Sequence, residues 1–306
     1  MENGTYRNQI LMIEGLKVTP LSSYPAFIFL FLAYIFILVS NIGLIVLILM
    51  DKTLHKPMYL LFCNLSICDA LGATVVVPGM LKDIFKQASD RYISYIACVI
   101  QAYLVHVLGT SNQTILMAMA FDRYVAICNP LRYNSIMTNK SVVSLTAFAW
   151  GVAIILSGIL ISLSVKLSHC SSTISYPYCD NPSLFKLSCE NVIINQIYGL
   201  CITSMFWIVS ISCIAFTYIK IAILCLSSDN SGLKSKAMKT CTTHLCVYFI
   251  VLACAFTLIV LHRFTAFSDL GKLASVLYYV IPSSLNPIIY GVQTKEIRQG
   301  LWRIFH

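Results

Sequence analysis

"YPAFIFLFLAYIFILVSNIGLIVLILM", residues 24–50, passes without one Lys, Arg, Asp or Glu. About 20 apolar residues, rising about 1.5 Å each, are enough to cross roughly 30 Å of hydrocarbon as an α-helix. A run of this length belongs in a bilayer. It is also far longer than the alternating segments of roughly ten residues that build an outer-membrane barrel.

The rest of the chain carries the same signature. Of its 306 residues, 58% are hydrophobic and 11% charged, whereas about a quarter of the residues of a soluble protein are charged. Six further apolar windows follow residues 24–50, at 57–81, 95–127, 142–165, 192–226, 237–261 and 273–290, with short polar gaps between them. The expected architecture is an all-α membrane protein, a seven-transmembrane helix bundle forming one domain over residues 1–306. In residues 291–306, Lys295, Arg298, Trp302, Arg303 and Phe305 suit a short amphipathic eighth helix lying on the inner leaflet. Residues 1–23 read as a polar, flexible extracellular leader without a cleavable signal, the first helix serving as its own anchor.

Seven spans place the two termini on opposite sides, and Lys and Arg favour the cytoplasmic one. With the C-terminus inside, that side holds twelve of the 21 Lys and Arg, and the other side holds nine together with seven of the twelve acids. Asn3-Gly4-Thr5 forms a glycosylation sequon usable only on the outer side. The tripeptide is loose evidence, since Asn64-Leu65-Ser66 and Asn112-Gln113-Thr114 also match it from within expected helices.

Among the thirteen cysteines, Cys98, Cys170, Cys179 and Cys189 fall on the outer side. An even number in an oxidising compartment suggests two disulfides, with three pairings open. Cys128, Cys225 and Cys241 fall near the inner face, and the others lie in apolar helices as small hydrophobes. Outward cysteines without a His-Cys spacing make a metal site a poor reading.

Charge inside the spans is the next signal, because it is costly there. Asp122, Arg123 and Tyr124 end the third span, where an acid beside an arginine can hold the helix end in one state until a partner competes. Asp69 stands mid-span with no basic residue near it in sequence, so it needs inward partners, for which Asn41, Asn112, Ser283 and Asn286 are candidates. Pro282 and Pro287 each remove a backbone donor from the seventh span and weaken it locally.

Asp69, Cys98, Asp122-Arg123-Tyr124, Trp150 and Asn286-Pro287-Ile288-Ile289-Tyr290 occur in the order and spans of rhodopsin-like G protein-coupled receptors. Pro57-Met58-Tyr59, Met119 to Cys128 running on to Tyr133, Lys236-Ala237 with Thr240 to His244, and Pro282 to Tyr290 narrow this further. The chain resembles a vertebrate odorant receptor over nearly its whole length. Leu261-His262-Arg263-Phe264 resembles the fish-like class.

The resemblance implies an odorant as ligand, a stimulatory olfactory-type G protein that raises cyclic AMP, and the plasma membrane of olfactory sensory neuron cilia. It places Arg123 at the G-protein cavity, has Tyr218 and Tyr290 rearrange around it, and pairs Cys98 with Cys179 and Cys170 with Cys189. In some members of the class the residues matching Arg263 and His106 anchor a carboxylate, which a guanidinium fork fits in two parallel bonds. Gly109 and Thr110 lie one turn inward of His106 and Ile259 one turn inward of Arg263, so each can share that cavity. Where many relatives carry a second acid this chain has Asn112, which leaves sodium binding at Asp69 in doubt.

No cofactor, metal or nucleic acid is expected. A receptor for a non-odorant metabolite and a transporter are the competing readings; a transporter normally shows inverted repeats, and none is found here. An enzyme is not expected either, since no His-Glu-x-x-His, Gly-x-Ser-x-Gly or paired in-span aspartates occur.

Overall fold

The computed structural model describes residues 10–227, 231–263, 267–293 and 295–305, so the Asn3 sequon lies outside the described residues. Among the described residues, seven helices are long and apolar enough to cross a membrane. They are α1 (Pro20–Met50), α2 (Pro57–Asp83), α3 (Tyr95–Cys128), α4 (Asn139–Val165), α5 (Ile193–Ser227), α6 (Ser231–Arg263) and α7 (Ser268–Gln293), and α8 (Lys295–Phe305) follows.

Local chemistry sets the helix starts. α1 begins four residues before Tyr24 because Thr19 and Ser22 form a capping box, each side chain bonding the other's backbone N–H, and Pro20 occupies the first turn. Pro57 opens α2, Ser94 accepts from the Ala97 N–H at the head of α3, and Thr138 accepts from the Ser141 N–H at the head of α4. α3 and α5 have 34 and 35 residues, about 50 Å at 1.5 Å per residue, so both project beyond the hydrocarbon. α3 runs through the middle of the bundle against α2, α4 and α5, whereas α6 packs much more on α7 than on α5.

The face that carries the N-terminal segment is closed by a small sheet. β1 (Ile10–Ile13) lies between β2 (Tyr92–Ser94), to which it is antiparallel, and β3 (Thr173–Ile174), to which it is parallel. The expectation of a polar, flexible leader therefore does not describe residues 10–13. Ile-Leu-Met-Ile is an alternating strand whose Leu11 and Ile13 are buried beside Tyr95, Cys98, Cys179, Leu184 and Leu187. Of the three pairings that counting leaves open, the bonds formed are Cys98–Cys179, which ties α3 to the α4–α5 connection, and Cys170–Cys189 within that connection. A short helix, Asn181–Phe185, capped by Asp180, follows Cys179 into the mouth of the bundle.

At the opposite face α8 lies against the end of α1. Ile297 is fully buried, and Arg303 reaches Asp51 at 3.3 Å. A Cβ at Gly300 would stand 3.1 Å from the Leu47 side chain, so glycine lets α8 settle closely on that side chain. Trp302 is exposed on the other side of α8, as an interfacial helix requires.

Candidate functional site

Beneath the Asn181–Phe185 helix lies a cavity of about 300 Å³, at the small end of ligand pockets. His106, Gly109 and Thr110 of α3 and Ile259 of α6 line it, and Gln113 continues the same face of α3 at helical spacing. The Arg263 side chain lies outside the described residues; its backbone ends α6 at this face.

His106 accepts through Nε2 from the Asn181 N–H at 3.2 Å, which leaves the ring proton on Nδ1 in the neutral form. Ser164 of α4 donates to the Asn181 Oδ1 at 2.6 Å and accepts from Asn195 of α5 at 3.2 Å. Three transmembrane helices thus hold the loop helix as one wall of the cavity. Lys186 follows it, exposed at the rim with its ammonium 5.9 Å from the centre of the Tyr176 ring. Asp180 also lines the cavity, but its carboxylate caps the loop helix, accepting from the Ser183 N–H and hydroxyl at 2.8 and 2.6 Å.

Below these cavity-lining residues is a chain that the sequence reading missed. Gln113 of α3 donates to Ser210 of α5 at 3.0 Å, and Ser210 meets the Tyr248 hydroxyl of α6 at 3.0 Å. Gln113 lines the cavity and Tyr248 is buried in the core below it. The seven-residue step from His106 to Gln113 was a usable signal; Ser210, one of two serines with Ser212 in an apolar run, carried none.

Deeper still, Asp69 gathers donors from two helices. Asn112 and Ser283 bond Oδ1 at 3.0 and 3.2 Å, and Asn286 bonds Oδ2 at 2.7 Å. Asn41 joins α1 to this layer by donating to the Ser283 carbonyl at 3.0 Å.

At the face opposite the sheet, Asp122 is fully buried and accepts from Arg123 Nε at 3.0 Å and from the Tyr133 hydroxyl at 2.8 Å. Burial, and next the charge of Asp122, raise the Tyr133 phenol above its ordinary value, so it remains a donor. Tyr218 of α5 meets His244 Nδ1 of α6 at 2.7 Å. Tyr290, one turn after Pro287 in α7, packs tilted against Phe62 with ring centres 4.4 Å apart, and its buried hydroxyl has no hydrogen-bond partner among the described residues. Tyr124 packs against the core of this face without joining the Asp122 pair.

Residues 30–306 match the family described as Olfactory receptor. The chain belongs to the olfactory receptor family. It is 36% identical to human olfactory receptor 52N2 over 295 residues, covering 94% of this chain and 90% of that one. Chicken olfactory receptor-like protein COR2 is 36% identical, with 96% and 94% covered, and human olfactory receptor 51E1 is 35% identical, with 89% and 86% covered. The olfactory receptor described here is accordingly an odorant G protein-coupled receptor and not an enzyme. It is a multi-pass plasma-membrane protein whose partners are a small molecule and a G protein.

Proposed function

We propose that this olfactory receptor binds a small carboxylate odorant in the cavity between α3 and α7 and signals through a stimulatory olfactory-type G protein that raises cyclic AMP. The sheet-bearing face is extracellular, Asn3 is available for glycosylation, and the cilia of olfactory sensory neurons are the working location. The observation that carries the ligand reading is a cavity lining that combines polar groups with an apolar wall. Asn181, Asn195 and Lys186 sit with His106 at the sheet-bearing end, and Val251, Ala255, Leu258 and Ile259 wall it with hydrocarbon. α6 ends there at Arg263. A carboxylate head with a short apolar tail fits such a lining, and Arg263 supplies the fork that grips it. The Asp180 carboxylate is fixed on the loop helix by the Ser183 N–H and hydroxyl, and Arg263 supplies the opposite charge for the head.

Signalling follows as a population shift. A tail that reaches Gln113 displaces its side chain from Ser210 by steric contact, which loosens Tyr248 and lets α6 leave α5 at the far face. Parting there breaks the Tyr218–His244 contact, and Arg123 then exchanges Asp122 for the G protein. The unpartnered Tyr290 hydroxyl is poised to take up a bond in that second state.

The test is cyclic AMP in cells expressing the receptor, challenged with short and medium straight-chain acids and the matching alcohols and esters, with Arg263→Ala beside the wild type. Activation by acids alone, lost in the variant at normal surface level, is expected. Equal responses to alcohols by both proteins would make the ligand neutral and Arg263 an interfacial residue.

A further inference from the structure

The N-terminal segment makes contacts that neither ligand binding nor G-protein coupling uses. Beyond β1 the chain turns at Gly15, whose φ of +65° is in the left-handed region. Arg91, itself only 7% exposed, holds the turn by donating to the carbonyls of Glu14 and Leu16, and to Lys86 of its own loop. A Cβ at Gly15 would stand 2.7 Å from the Arg91 guanidinium, so the grip requires glycine.

Two walls of the ligand cavity are attached to this one segment. On the loop side, β1 pairs with β3, Glu14 N–H bonds the Ile174 carbonyl at 2.9 Å, and Leu11 and Ile13 pack on Leu184 and Leu187 around the loop helix. On the α7 side, Lys272 is buried to 2% exposure and its ammonium meets the Glu14 carboxylate at 2.9 Å. Lys17 adds an exposed pair with Asp269 at 3.1 Å. Lys272 stands less than two turns before Tyr278 and Tyr279, which line the cavity. Leu16 and Val18 pack on the cluster that contains Tyr178 and Tyr279.

We propose that residues 10–18 are a positioning strap for the ligand cavity, with Lys272 as its anchor on α7, fixing the loop wall and the α7 wall at one separation. Lys272 is then a positioning residue, acting through Glu14 without touching the ligand. A buried ammonium without its carboxylate is worse than no ammonium at all. The two ends of the pair are therefore unequal: Glu14→Gln loosens the strap more than Lys272→Met does.

The experiment is hydrogen exchange on the purified full-length receptor in lipid nanodiscs, without ligand, for Glu14→Gln, Lys272→Met and the charge-exchanged double variant Glu14→Lys/Lys272→Glu. The strap predicts that Glu14→Gln speeds exchange about tenfold in both residues 173–187 and the first two turns of α7. It also predicts a smaller effect of Lys272→Met and recovery in the double variant. Acceleration confined to residues 10–18, or a double variant as loose as Glu14→Gln, would make the segment a passive cover and overturn the proposal. For any probe acid or alcohol that activates the wild type, Glu14→Gln should lower potency about tenfold at an unchanged maximum; a lowered maximum at unchanged potency contradicts the strap. Because the exchange experiment uses no ligand, it stands whether or not the carboxylate reading does.

Discussion

Tyr290 shows how much a single hydroxyl can say about state. A buried hydroxyl without a bond typically destabilises by about 1–3 kcal/mol, and here the orphan lies among core residues against Phe62. Tyr290→Phe should therefore raise the thermal stability of the ligand-free receptor, by about 1–2 kcal/mol on that scale. It should also reduce agonist-driven cyclic AMP. A thermal melt of purified protein with a signalling assay checks both, and a variant that is less stable yet fully active refutes the assignment. Asp69 is the opposite case: both oxygens are engaged, by three side chains from α3 and α7, as a charge within the hydrocarbon requires. From the sequence, Asp69 was visibly in need of partners, and Asn112, Ser283 and Asn286 were nameable as polar residues in other spans. Which of their atoms face it could not be read, because Ser283 and Asn286 lie more than 200 residues away along the chain.

At the scale of elements, the loop between α4 and α5 carries its own pH dependence. Hydrogen bonds from the Ser168 hydroxyl and N–H hold the Glu190 carboxyl below its ordinary value, and burial holds the neighbouring His169 imidazole below its own. Both shifts are downward, so the folded loop binds fewer protons than the unfolded one. The stabilisation is present above the unfolded values and is lost as pH falls, first for His169 below roughly 6.5, then for Glu190 in stronger acid. The protection of residues 168–190, taken relative to the intrinsic exchange rate at each pH, should fall between neutral and mildly acidic pH, and His169→Gln should remove the first step. An identical pH response in the variant would assign it elsewhere. The helices were legible as elements because length and apolarity are local properties; the start at Pro20 follows from a capping box and that at Pro57 from proline in the first turn. The strand at Ile10–Ile13 was not, since four residues gain strand form only from the two partners beside them.

For the whole molecule, the Cys98–Cys179 bond joins the central helix to the loop wall across 81 residues of sequence. Removing it with Cys98→Ser should cost about 2–5 kcal/mol and detach the Asn181–Phe185 helix from the cavity. The expected result is loss of ligand response together with a lower melting temperature; retention of both would mean that the bond is dispensable. The amino-acid sequence by itself determined that the chain crosses a bilayer seven times, which residues are charged within it, and that its ordered motifs resemble an odorant receptor. Only the tertiary structure decided which faces meet: the Gln113–Ser210–Tyr248 chain, the loop helix on His106, and the strap from Glu14 to Lys272. The reason is the solvent. Lipid tails are as apolar as the bundle interior, so hydrophobic periodicity does not mark the inward face; that is set by packing and by polar pairs between residues distant in sequence, which leave no local trace.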